Sequence, residues 1–101
     1  MTAQDIANIR IAEVIRDSPF PLRNYLHDPA ESRRLIQWVL KQNEDFFAVF
    51  TRNLRRWNAL PARFTSADLA QCDLHPFAVG MAFYATVRQS EIGRASCRER
   101  V

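Results

Sequence analysis

The stretch from Asp28 to Trp57 limits what this chain can fold into more than any other. Advancing 100° per residue, Leu35, Ile36, Val39, Leu40, Phe46, Phe47, Phe50, Leu54 and Trp57 fall within a sector about 120° wide, and most of the opposite face is Arg, Lys, Gln, Glu, Asp or Thr. Asp28 can cap a helix, Pro29 suits its first position, and Glu31 can reach back in a capping box. Each large apolar side chain that becomes fully buried contributes roughly 1.5 to 3 kcal/mol, against about 0 to 1 kcal/mol for a surface ion pair. Packing therefore dominates this element. The stripe keeps its phase across Gln42-Asn43-Glu44-Asp45, which leaves open one helix of about thirty residues or two helices with a common face. Asn43, inside the stripe, is the expected place for a kink or a new cap.

The last residues are of another kind. Ile92 to Val101, IGRASCRERV, resemble the in-frame translation of a widely used short-read sequencing adapter (ATC GGA AGA GCG TCG TGT AGG GAA AGA GTG), with the adapter's preceding bases completing the codon for Glu91. The resemblance is to an artefact and implies that residues 1–90 are the natural helical domain, or part of one. Residues 91–101 are then a non-native tail, to be left out of reasoning about the fold. Sequencing the source DNA through the codon for Ser90 tests this expectation.

Without residues 91–101, eleven basic and nine acidic residues remain. So small an excess requires no nucleic acid, membrane surface or acidic substrate. Cys72 is then the single cysteine, which excludes an internal disulfide and gives no reason to invoke an oxidising compartment. Ten of the eleven basic residues are Arg, a bias that fits a GC-rich, bacterial coding sequence. Asp5, Arg10, Glu13 and Arg16 interrupt the first apolar stretch, so it lacks the character of a secretion signal, and no segment reaches the length of a bilayer span. The expected location is the cytoplasm. Only Gly80 represents glycine in residues 1–90, which disfavours hairpins and phosphate-cradling loops.

The flanking segments also read as helices. Met1 to Asp17 has Thr2 as cap with Asp5 three residues on; Ala7, Ile11, Val14 and Ile15 share one face, while Ile6 and Ile9 fall among the charged residues of another. Ser18-Pro19-Phe20-Pro21 ends that helix, Leu22 to His27 is expected to form a short turn before the Asp28 cap, and Phe20, Leu22, Tyr25 and Leu26 then cover one end of the stripe. Asn58-Ala59-Leu60-Pro61 ends the central element. Thr65 and Asp68 then form a capping box, with Phe64 and Leu69 as a hydrophobic staple. Phe77 to Val87 is apolar almost throughout, as in a buried helix, although a strand buried on both faces would look similar. Its Ala78, Ala82 and Ala85 form a small-residue face suited to close packing, opposite bulky Val79, Phe83 and Val87. The expectation is an all-α fold of four or five helices, with the central element packed against the first and last.

Candidate sites are few. Arg52, Arg55, Arg56 and Arg63 could grip phosphate oxygens, yet cations also complement a helix C-terminus, and Glu44 and Asp45 lie earlier on the same polar side, so nucleic acid is not the favoured partner. FTSADLA followed by HPFAVG resembles the first half of a helix-turn-helix, but the implied reading helix, FAVGMAFYATV, offers base edges only Tyr84 and Thr86. Cys72, Asp73 and His75 are close in sequence, yet His27 is the only other histidine and no orienting group is identifiable; His75 or Asp73 as cap and Pro76 as first helical residue explain them more simply. No cofactor, metal or catalytic residue is assigned. The leading expectation is a helical interaction or oligomerisation module at the N-terminus of a longer cytoplasmic protein, an incomplete fragment of it, with Ile6, Ile9, Ala78, Ala82 and Ala85 as its face. Its partner would be a second copy or a C-terminal domain. The alternatives are the N-terminal helical part of an enzyme whose catalytic residues lie further on, and weak polyanion binding through the arginines.

Overall fold

A computed structural model describes residues 2–20 and 28–99, with side chains as far as residue 89. It contains five helices: α1 (Ala3–Arg16), α2 (Pro29–Leu40), α3 (Glu44–Leu54), α4 (Ser66–Gln71) and α5 (Pro76–Glu99). Among the described residues there is no strand, so the fold is all-α, and the apolar segment from Phe77 is helical.

Local chemistry sets the helix starts. Thr2 and Thr65 each form a reciprocal capping box, with Asp5 and Asp68, so two orphan N–H groups at each end are satisfied at once. Asp28 accepts from the Glu31 N–H at 2.7 Å, and Pro29 begins α2. At α5, Nδ1 of His75 accepts from the Phe77 N–H at 3.1 Å and the His75 carbonyl accepts from the Val79 N–H at 3.2 Å, so His75 acts as the cap and Pro76 as the first helical residue. Beyond Val87, Arg88 and Gln89 are compatible with helix and no proline intervenes, so polarity changes there while the backbone continues to Glu99.

The central stretch is two helices. Lys41 caps the end of α2, Gln42 bends the chain, and Asn43 starts α3 by accepting the Phe46 N–H on Oδ1 at 2.9 Å. Asn43 Nδ2 also donates to the Arg10 carbonyl at 3.3 Å, tying the break to α1. The stripe survives the break because both helices turn it to one core: Leu35, Ile36, Val39, Phe46, Phe50 and Leu54 are buried, and Leu40, Phe47 and Trp57 are half-buried against them.

The most extensive interface is between α3 and α5; α1 packs on both, and α2 lies against α3, α4 and α5. Ile11, Val14 and Ile15 from α1, Leu69 from α4, and Ala78, Val79, Ala82, Phe83 and Val87 from α5 complete the core. Its aromatic centre is edge-to-face: Trp38 lies 5.5 Å from Phe46, 6.0 Å from Phe83 and 5.6 Å from Phe20, a geometry that sets each ring's positive edge toward the next ring's face. Phe20 thus covers one end of the stripe as expected; Leu22, Tyr25 and Leu26 lie outside the described residues.

Candidate functional site

The expected interaction face divides in two. Ala78 and Ala82 are buried and Ala85 is half-buried, so the small-residue face of α5 is used inside the domain, where short side chains allow close helix approach. Ile6 and Ile9 remain on the outside of α1, one turn apart, 49% and 45% exposed. The capping box holds the N-terminal end of this face, and at its far end Arg10 Nε lies 3.3 Å from an oxygen of Asp45 on α3. Of the described large apolar side chains, only Phe77 is comparably exposed, at the start of α5.

The four arginines are all exposed. Arg52 lies in the last turn of α3, Arg55 is its C-cap and Arg56 follows. Arg55 Nη1 donates to the Leu60 carbonyl at 3.3 Å, folding the following loop back against the helix end. Among the described residues none of the four has a carboxylate within ion-pair distance, whereas Arg10 meets Asp45 and Arg16 meets Asp17.

Between α2 and residues 69–76 runs an open groove of about 640 Å³. Ile36 and Leu69 are its apolar floor, and Arg33, Gln37, Asp73 and His75 stand around it. Cys72 is a half-buried free thiol, no hydrogen bond joins it to His75, and the His75 Nδ1 lone pair is taken by the cap. Among the described residues no three His, Cys, Asp or Glu side chains group as metal ligands. The groove therefore presents no assembled nucleophile and base.

One polar cluster escaped the reading of the sequence. Asn53 and Thr86 are fully buried between α3 and α5. Asn53 Nδ2 donates to Thr86 Oγ1 at 2.9 Å and to Gln89 Oε1 at 3.4 Å, while Gln89 Nε2 donates back to Asn53 Oδ1 at 3.3 Å. Thr86 Oγ1 in turn donates to the Ala82 carbonyl at 2.8 Å. The signal was present: Asn53 is three residues after Phe50 and seven after Phe46, on the apolar face. Because its polar atoms are matched within the fold, the cluster orients α3 and α5 and has no buried unsatisfied group to offer a ligand. With Thr86 committed to Asn53 and Tyr84 half-buried, the part of α5 over residues 77–87 also lacks the free polar face of a DNA-reading helix.

Comparison with known protein families, characterised proteins and solved structures finds no match to the chain. No helix among the described residues is long and apolar enough to cross a membrane.

Proposed function

We propose that this chain is a helical protein–protein interaction module that associates with a second copy of itself through the outer face of α1. The observation that carries this reading is the exposure of Ile6 and Ile9, one turn apart, on a helix whose other large apolar residues, Ile11, Val14 and Ile15, are buried. An antiparallel two-fold pairing of α1 would set Ile6 of each copy over Ile9 of the other, the self-complementary arrangement a closed dimer requires.

Magnitude sets the strength. Two isoleucines, each already half-buried, contribute about 1.5 to 3 kcal/mol per copy when fully covered, which is offset by an association cost of about 4 to 15 kcal/mol. The isoleucines alone leave little net affinity, so the dimer must also bury the α1 side chains around them and is weak, forming only toward millimolar concentration. Sedimentation of the full chain from micromolar to millimolar concentration should show a mass that rises at the upper end, and the Ile6→Ser/Ile9→Ser variant should stay monomeric while keeping its helical circular dichroism. A monomer at every concentration, or a variant that associates as the wild type does, rules this reading out.

A further inference from the structure

The arginines at the end of α3 lack the compensation the sequence implied for them. Asp45 is held by Arg10 of α1 at 3.3 Å. Glu44 lies eight residues before Arg52, about 12 Å along the helix axis and beyond the ~8 Å over which exposed charges act at physiological salt. Arg52, in the last turn of α3, is three residues from Arg55 at its C-cap, a spacing that makes like-charged side chains neighbours and sets them in repulsion, and Arg56 follows in the turn. The helix C-terminus offers about half a negative charge, a fraction of what three guanidinium groups carry. Arg55's bond to the Leu60 carbonyl anchors one guanidinium and leaves most of its N–H donors outward. The loop that this bond folds back leads within three residues to Arg63, also exposed.

We propose that Arg52, Arg55, Arg56 and Arg63 form a binding surface for a phosphate backbone, a ligand whose closely spaced oxyanions neutralise adjacent arginines together. Guanidinium groups match phosphate oxygens bidentately, and a chain of phosphates engages several without requiring a concave pocket. The expected contacts are to phosphate oxygens, which position a nucleic acid without reading its sequence. This surface belongs to α3 and is independent of the α1 face.

The test is fluorescence anisotropy of the full chain with a labelled duplex oligonucleotide, and with inorganic polyphosphate and polyglutamate as competitors, across a salt series. Four phosphate contacts give a slope of log K against log salt of about −3.6, a loss of roughly 150-fold between 50 and 200 mM. Arg52→Gln/Arg56→Gln should weaken binding about tenfold and reduce the slope by about 1.8, whereas Arg33→Gln/Arg34→Gln, which removes the same charge from exposed positions on α2, should change affinity less than about threefold. Competition by polyphosphate identifies a generic phosphate chain, and its failure to compete narrows the ligand to a nucleic-acid backbone. Absence of binding at about 50 mM salt, equal losses in the two variants, or equally effective competition by polyglutamate overturns the proposal.

Discussion

Asn53 offers a quantitative test of how α3 and α5 are held together. Asn53→Ala removes two to three hydrogen bonds, each worth about 0.5 to 1.5 kcal/mol net, and leaves a void in a fully buried site that costs about 1 kcal/mol more. The expected loss is about 2 to 5.5 kcal/mol, a large part of the ~5 to 15 kcal/mol that a small domain has, and it should lower Tm by roughly 10 to 45 °C. Asn53→Leu differs in a way the geometry dictates. Leucine fills the volume, Thr86 Oγ1 keeps its donation to the Ala82 carbonyl, and the exposed Gln89 amide can turn to water, so few buried groups are left unmatched. That variant should lose no more than about 1 kcal/mol. A double-mutant cycle with Thr86→Val, read by urea unfolding followed by circular dichroism, should give a coupling of about 0.5 to 1.5 kcal/mol. A cost for Asn53→Leu as large as for Asn53→Ala, or a coupling of zero, would show that the cluster does not hold the interface as argued.

Phe46→Ala empties the centre of the core, where the ring is fully buried between Trp38 and Phe50, and should cost about 3 to 5 kcal/mol in the same unfolding assay. Asn43→Ala removes the α3 cap and the link to the Arg10 carbonyl; a loss of about 1 to 2 kcal/mol is expected, and no change would place the α2–α3 break elsewhere in the energetics. The Asp5 and Asp68 carboxyls lie below their ordinary 3.8 because the backbone N–H groups of Thr2 and Thr65, and then the threonine hydroxyls, favour the charged form. A folded value depressed in this way stabilises fully above the ordinary value, and the contribution is lost as pH falls through the lowered folded values. Urea midpoints of the wild type should therefore decline below about pH 3.8, and Asp5→Asn/Asp68→Asn should flatten that part of the profile.

The sequence by itself determined the class of fold and most of the helix starts, because these follow from short-range chemistry. Thr2 with Asp5, Asp28 with Pro29, and Thr65 with Asp68 each satisfy orphan N–H groups within one turn, so the pattern is complete in four residues. The stripe from Leu35 to Trp57 was legible for the same reason: the helical period maps directly onto a buried face. Whether that stretch was one helix or two depended on Asn43, whose second contact, the Arg10 carbonyl, lies thirty-three residues away. Tertiary structure alone decided how the remaining polar and small residues are used. Ala78 and Ala82 turned inward because α5 is enclosed by α1, α2 and α3, whereas Ile6 and Ile9 stayed outside. Asp45 was drawn away from the α3 arginines by Arg10, and Asn53 found Thr86 and Gln89, partners that local pattern could not supply. A periodic pattern shows which face of a helix is buried, but the charge or amide that meets a given side chain is set by helix docking across long sequence separation.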